Sequence, residues 1–363
     1  MSKWRIWGRR ALAGLAIALV LLSFLPLWET DRWWVRQWDY LRIQVAGLLL
    51  IVGAALFLVR FKRRARLWVL AAAMLAALGW QVSHFLAYLP LRSKEVASAE
   101  TCRAERSLSL LNANVLLTNR DFPRLLDLVA KRRPDVLLLL EPGTRWATAV
   151  APLRREYPYV LSEATPNTYG MILMSRLQMA GRINHLLQAG VPSAEVRLNL
   201  RGGQEVVLHA LHPEPPWPGN DSGERDAELV ATGRRVRDSG RAAIVMGDLN
   251  DVAWSHTSRL FQRVAGMGDP RIGRGLYPTF TARYPLLRWP LDHLFVSPHF
   301  EIVEIARLAD IGSDHFPIFF RVCLTERAGE RKVDDDASAA TEAEASKQLG
   351  EGVAEKREED RGE

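Results

Sequence analysis

The chain has 363 residues, 48% of them hydrophobic and 25% charged, which suffices for about two ordinary domains and excludes a wholly disordered or fibrous polypeptide. Its 2 cysteines, Cys102 and Cys323, are too few for a disulfide framework and lack the close pairing of a structural zinc site, so a bound metal would be held by oxygen and imidazole. The net charge of +7 is unevenly placed: residues 1–67 carry +9, residues 325–363 carry −6, and the remaining +4 on the middle is no footprint for a polyanion.

Three apolar runs open the chain, 11–28, 43–59 and 67–89. Each approaches the roughly 20 residues that a helix needs to cross a bilayer, so three transmembrane helices are predicted. Trp28, Trp33, Trp34, Trp38 and Trp80 lie near their ends, where interfacial aromatics belong. Lys3, Arg5, Arg9 and Arg10 precede the first run, and Arg60, Lys62, Arg63, Arg64 and Arg66 separate the second from the third. That bias predicts a cytoplasmic N terminus and places everything after residue 89 outside the cytoplasm. A cleaved signal peptide is the alternative, since Ala97-Ser98-Ala99 looks like a cleavage tripeptide. Lys94 and Glu95 stand just before it, however, and no short apolar core ends there.

The expected organisation is therefore a membrane anchor over 1–92, a linker over 93–106, a catalytic-sized domain over 107–324 and an acidic tail over 325–363. The tail has almost no large apolar residue and is expected to be disordered, with transient helix at most.

Within the domain, strands are predicted at 108–115, 136–140, 171–175, 194–199, 205–211, 243–246, 294–297 and 316–324, with helices at 122–132, 226–239 and 255–265. The continuous run 136–140 reads as a strand covered on both faces. Strands in excess over helices predict an α/β fold of two packed sheets flanked by helices.

Polar residues mark the strand ends: Asn114, Glu141, His212, Asp248 with Asn250, Asp292-His293, and Ser313-Asp314-His315. A single such acid is ordinarily a cap or turn former. Six loaded ends point to convergence on one edge of the sheets. His209 is one step out of phase with His212 and is expected on the opposite face; His293 points away from Asp292 and is expected behind the site or at the surface. Ser313, Asp314 and His315 are consecutive and cannot form a catalytic triad, whose partners must approach from different directions. Gly202-Gly203 reads as a hairpin turn. Arg263, Arg271, Arg274, Arg283 and Arg288, with Tyr277, Tyr284 and Trp289, either contact substrate or belong to a long solvated loop, and 212–218 is a proline-rich loop beside the site.

The motifs resemble those of the endonuclease/exonuclease/phosphatase superfamily over 107–322. Asn112-Ala113-Asn114-Val115 looks like its first-strand asparagine motif, and Pro134-Asp135-Val136 through Glu141 like its "PDV…QE" strand, with Leu140 in place of the usual Gln. Gly170 to Arg176 looks like its "G…SR" strand, and His212-Pro213 like its mid-chain histidine. Gly247-Asp248-Leu249-Asn250, Leu291-Asp292-His293 and Gly312-Ser313-Asp314-His315-Phe316-Pro317 look like its "GDxN", "xDxxxxS" and "SDHxP" motifs. The first of these is weak alone; the three in this order are specific.

The resemblance implies a four-layered α-β-β-α sandwich of two packed mixed sheets and a phosphodiesterase or phosphatase, a nuclease among the options. Mg²⁺ or Mn²⁺ is the implied cofactor, since a hard cation takes one or two carboxylates and keeps water. Glu141, Asn114 and Asp314 are the expected metal ligands. Asp248 or His315 is the expected base, and Asp292 fixes the His315 tautomer. His212, Asn250, Asn114 and His315 are expected on phosphate oxygens, Asn250 because alternation on a strand would aim it with Asp248.

The expected partners are a phosphate ester, nucleic acid, phospholipid or small molecule, and a lipid bilayer, with no obligate protein partner; the mild charge and the anchor favour a substrate other than nucleic acid. The expected location is a bacterial inner membrane, with the domain outside the cytoplasm. The alternatives are a catalytically inactive scaffold and, more weakly, a transporter, whose spans ordinarily carry acids or bases where these show His84 alone. In the resembled fold the first and last strands lie near each other, so a Cys102–Cys323 bridge is geometrically possible. It would stabilise the domain by roughly 3–5 kcal/mol.

Overall fold

The computed structural model describes residues 3–58, 64–188, 190–325 and 339–361. The end of the second apolar run with most of the basic cluster after it, 59–63, and residues 326–338 of the tail lie outside them. The chain divides into two compact units, Met1–Ala87 with Pro216–Asp221, and Tyr88–Pro215 with Ser222–Glu363.

The first unit contains α1 (Lys3–Phe24), α2 (Trp33–Tyr40), α3 (Arg42–Leu58) and α4 (Arg64–Phe85). Leu19 of α1, Leu49 and Val52 of α3 and Met74 and Ala77 of α4 pack together. Two stretches, Trp7–Leu27 and Ala65–Tyr88, are long and apolar enough to cross a membrane; a third exists if α2 and α3, bent by 68°, count as one span. The sequence reading leaves His84 as the ionisable group of the spans. Folding adds to it, because α2 is helical and carries Asp39 inward: Arg42 donates to Asp39 at 2.6 Å and to Gln81 at 3.1 Å, all three buried.

The second unit is built on two sheets. The first has β1 (Ser107–Asn114), β2 (Val136–Leu140), β3 (Tyr159–Glu163), β4 (Met171–Ser175), β10 (Phe300–Arg307) and β11 (Ile318–Leu324), in the order β10-β11-β1-β2-β4-β3. The second runs β5 (Met179–Asn184), β6 (Ser193–Asn199), β7 (Glu205–Leu211), β8 (Ala243–Asp248) and β9 (Asp292–Val296), hydrogen-bonded in that order. Both are mixed: β1 runs parallel to β2 and β7 to β8, while the other neighbours are antiparallel.

Period-2 alternation assigns the side chains to layers. Leu110, Leu138, Leu208, Ile244, Met246 and Leu294 meet between the sheets. The opposite face of the first sheet, with Leu111, Leu137 and Leu139, packs against α5 (Phe122–Arg132) and α6 (Thr144–Val150). That of the second, with Val207, Val245 and Phe295, packs against α7 (Gly223–Ser239) and α8 (His256–Ala265). The five-residue run Val136–Leu140 is fully buried because its two faces belong to two cores.

Two segments differ from expectation. Residues 93–106, read as a linker, are docked: Val96 lies in the inter-sheet core, and Ala99 N–H donates to the Ile302 carbonyl at 2.9 Å. The described part of the tail, read as disordered with transient helix at most, forms α9 (Ala339–Asp360). Its Ala345 and Leu349 pack on Val230, Leu260 and Val264 of α7 and α8, and Glu342 pairs with Arg234 and Arg237. Composition underestimates it because a few small apolar residues on one stripe suffice when a preformed helix pair receives them. Glu228 of α7 is buried with neither carboxylate oxygen hydrogen-bonded. Burial, with Glu224 adding to it, pushes its pKa up to about 8, against Arg235 and Lys356. The folded chain thus holds a proton at Glu228 that the unfolded chain releases near pH 4.5, so stability falls as pH rises from there to about 8. Glu228→Gln is expected to flatten this dependence and raise the melting temperature at pH 7.5, read by thermal unfolding across the pH range.

Cys102 and Cys323 are bonded, with Cα atoms 5.8 Å apart. The bond joins the approach to β1 to the strand beside it, since Ser107 pairs with Cys323 in the register.

Candidate active site

The polar residues singled out in the sequence continue the inward stripes of their strands. On β1, Asn112 and Asn114 follow Leu108 and Leu110; on β7, His212 follows Leu208 and Ala210; on β8, Asp248 follows Ile244 and Met246. Asp292 precedes Leu294 and Val296 on β9, and Asp248 stands directly opposite it in the register. Where the apolar stripes stop, the same inter-sheet space becomes polar.

Glu141 breaks the rule. Strict alternation would turn it outward with Leu137 and Leu139, but its backbone is left-handed, φ +59°, and the carboxylate reaches Asn114. A non-glycine residue in that region is strained and marks a constrained position. Gly247 has a related constraint: at φ +144° a Cβ there would come within 1.9 Å of the Leu211 carbonyl oxygen, so only glycine lets β7 and β8 approach beside Asp248. Gly247→Ala is expected to destabilise the fold by about 3 kcal/mol or more, measured by denaturant unfolding.

The side chains form one chain of hydrogen bonds joined by an ion pair. Asn114 Nδ2 donates to Glu141 Oε1 at 2.8 Å and to Asp248 Oδ2 at 3.3 Å. His315 Nε2 lies 3.5 Å from Asp248 Oδ2, its Nδ1 lies 2.8 Å from Asp292 Oδ2, and Asn112 Nδ2 donates to Asp292 Oδ1 at 2.9 Å. Ser313 Oγ donates to the Asn114 carbonyl at 2.8 Å and accepts from His315 N–H at 3.1 Å, fixing the loop before β11. Phe280 lies against the His315 ring, 4.8 Å between centroids, and Tyr169 lies 6.1 Å from that of His212.

Burial and neighbouring charge tune these groups. Burial alone would depress the His315 imidazole, but Asp292 and Asp248 on either side outweigh it and push its pKa up. Burial pushes the Asp248 carboxyl up, with His315 opposing and Asp292 adding to it. Burial also raises Glu141 against its Asn114 hydrogen bond, and the nearby Asp314 charge adds to the rise. His212, buried and beside His315, is held down to about 4. Three atoms here are buried without a hydrogen bond, Asn112 Oδ1, Glu141 Oε2 and His212 Nδ1. They are the points at which this network is open to a further group.

Two groupings could receive a cation. Glu141, Asn114 and Asp314 offer oxygen donors, one of them the orphaned Oε2, which suits a hard divalent ion. Asp248, Asp292 and His315 have ligand atoms within 4.8 Å of one another, but those atoms already bind each other.

Asn250 departs from expectation. The strand β8 ends at Asp248, and Asn250 is left-handed at φ +47°, so alternation does not govern it. Its N–H donates to Asp248 Oδ1 at 3.0 Å and its Nδ2 to the Pro213 carbonyl at 2.9 Å, tying the turn after β8 to the residue after His212. His209 is on the outer face, as expected. His293 is fully buried, not at the surface: Nε2 meets the Asp251 carbonyl at 2.9 Å and Nδ1 the guanidinium of Arg271 at 2.7 Å. Arg225 donates to the Asn250 carbonyl at 2.7 Å. Arg225 and His293 thus hold the adjacent carbonyls of Asn250 and Asp251, and Arg271 holds the His293 ring; sequence reasoning allowed for His293 behind the site but missed Arg225 and the role of Arg271, because nothing local distinguishes them. Of the loop arginines weighed as substrate contacts, Arg271 is buried on Asp269, Arg274 binds the Pro270 and Val96 carbonyls, Arg288 those of Thr281 and Ala282, and Arg263 pairs with Glu344.

The sequence profile of the Endonuclease/Exonuclease/phosphatase family matches residues 111–315. No curated protein sequence matches the chain. Among solved structures, humanized D. rerio TDP2 carrying 14 mutations is similar at 19% identity and a TM-score of 0.50, covering 60% of this chain and 98% of its own. The human Nocturnin catalytic domain with bound sulfate anion is similar at 15% identity and a TM-score of 0.50, covering 62% and 96% respectively. At such identities these likenesses bear on the fold.

Proposed function

This chain belongs to the endonuclease/exonuclease/phosphatase family, whose members are metal-dependent phosphoester hydrolases, and from that premise we propose that it is a membrane-anchored hydrolase of phosphate esters working by in-line attack of water. The observation that carries the proposal is the continuous network from Glu141 through Asn114, Asp248 and His315 to Asp292, with an orphaned carboxylate oxygen at one end.

Glu141, Asn114 and Asp314 would hold Mg²⁺ or Mn²⁺. When bound, the ion neutralises charge on a phosphate oxygen and on the departing oxygen. His315, kept cationic by its two carboxylates, donates to a phosphate oxygen, and Asp292 fixes its orientation. That leaves Asp248, whose proton affinity is raised, to orient and deprotonate the attacking water. His212 is neutral at physiological pH and offers an unpartnered ring nitrogen to the phosphate or the leaving oxygen. Asn250 holds the turn together and brings its amide to the edge of the same space.

Tyr284, Leu286 and Leu287 stand exposed on the loop whose Ala282 N–H donates to the Asp314 carbonyl. An apolar rim favours an ester carried by a lipid over nucleic acid. The long apolar helices support anchoring, and the lysine and arginine bias supports a bacterial inner membrane with the domain outside the cytoplasm, where the Cys102–Cys323 bond persists.

The test is turnover by the full chain in neutral detergent with Mg²⁺, Mn²⁺ or excess EDTA, across DNA, RNA, phospholipid and phosphomonoester substrates. Hydrolysis of one class that EDTA abolishes and either cation restores is the expected result. No turnover of any class would leave a scaffold built on the same fold.

A further inference from the structure

On the outer face of the second sheet, α7 and α8 cover β7 to β9, and the face of β5 and β6 is left open beside the C-terminal turn of α7. Here lies a trough of about 890 Å³, lined by Arg182 of β5, Glu195 and Arg197 of β6, His209 of β7, and Arg235 and Asp238 of α7. In the register Glu195 stands opposite both Arg182 and His209, so these side chains share one face. His209 forms the floor, only 6% exposed. His212, in the site described above, belongs to the inward stripe of the same strand, so the trough and that site use opposite faces of β7.

Asp238 pairs with Arg237 at 3.4 Å, but among the described residues the central basic side chains make no ion pair. A buried imidazole ordinarily finds a hydrogen bond. Among the described residues, Arg182, Arg197 and Arg235 make no ion pair or hydrogen bond, nor does the His209 ring, and Glu195 and Asp238 leave the lining net positive. Arg241, at the end of the trough, is paired with Glu205 at 2.8 Å. Three guanidiniums with no hydrogen bond, Arg235 among them also acting on the buried Glu228, and an imidazole facing Glu195 without a hydrogen bond offer planar forks and a ring nitrogen to an anion with several oxygens.

We propose that this trough is a second, non-catalytic site for a phosphate-bearing anion, with Arg182, Arg197 and Arg235 on its oxygens and His209 beneath it. A carboxylate ligand would use fewer of the donors, and an extended polyanion would meet Glu195 and Asp238 on the walls. A compact phosphate or pyrophosphate group, free or at the head of a lipid, matches the charge and the clustered donors and would fill only the part of the trough over His209.

The full chain in neutral detergent, with excess EDTA to suppress anion binding that needs a divalent ion, is titrated with inorganic pyrophosphate while heat and the His209 ring resonances are followed. One saturable site that shifts the His209 signals is expected. Arg197→Gln with Arg235→Gln should weaken it by roughly tenfold or more and leave metal-dependent hydrolysis unchanged. Glu195→Gln should tighten it. Repeating the titration in nanodiscs with and without phosphatidic acid separates the sources: competition by the lipid assigns the site to a headgroup, and its absence assigns it to a soluble phosphate. No saturable binding by the unmodified chain, or equal binding by the double variant, overturns the proposal.

Discussion

Glu141→Ala is expected to lower kcat/KM by roughly 10³-fold or more, several kcal/mol of transition-state stabilisation, while the domain stays folded. The fold should tolerate it because it removes a desolvated carboxylate with one unsatisfied oxygen and leaves the backbone at this position no more strained than before. His315→Ala should cost as much activity but also some stability, since it leaves Asp248 and Asp292 facing each other in a buried site without the cation between them. The two variants therefore separate chemistry from architecture. Steady-state kinetics beside thermal unfolding reads both, and near-full hydrolysis by either variant would sink the assignment.

The second large effect concerns the covalent closure. Reducing the Cys102–Cys323 bond, or replacing both residues with serine, is expected to destabilise the domain by roughly 3–5 kcal/mol, because the bond closes a loop with a sequence separation of 221 residues. The loss should appear as a lower denaturant midpoint with a steeper slope, because the unbridged unfolded chain exposes more surface. Titrating thiols on the denatured, unreduced chain checks the bond itself, and two free thiols there would contradict it.

The parts legible in the sequence are those in which one local pattern decides the outcome. The apolar run 136–140 and the amphipathic run 122–132 coincide with β2 and α5, because burial on two faces and on one stripe leave different spacings. The gathering of Asn114, His212, Asp248 and Asp292 at the candidate site was legible for the same reason, since a polar residue one step beyond an apolar stripe is visible as such, whereas the inward turn of Glu141 comes from its left-handed backbone. Three of the four edge strands were not. In β3, β5 and β10 several residues remain exposed, so no alternation announces them, and pairing with a neighbour decides their state. The short α6 gives too few turns for a period. The buried Arg271–His293 contact joins positions 22 apart with no spacing rule, and α9 depends on a surface made by α7 and α8.

Because Asn114, His212, Asp248 and Asp292 each extend an inward stripe, their aim is a matter of counting residues. A strand has two sides, and one extra residue inside β8 would send Asp248 to the α8 side and Val245 or its neighbour into the inter-sheet layer. The chain can thus absorb changes of length only where a strand begins or a hairpin turns away from the site, as at 201–204 between β6 and β7. A deletion scan should trace that asymmetry as a map of where the polypeptide is free to grow: the turns remote from the site accept insertions of several residues, while the last steps of β1, β7 and β8 accept none.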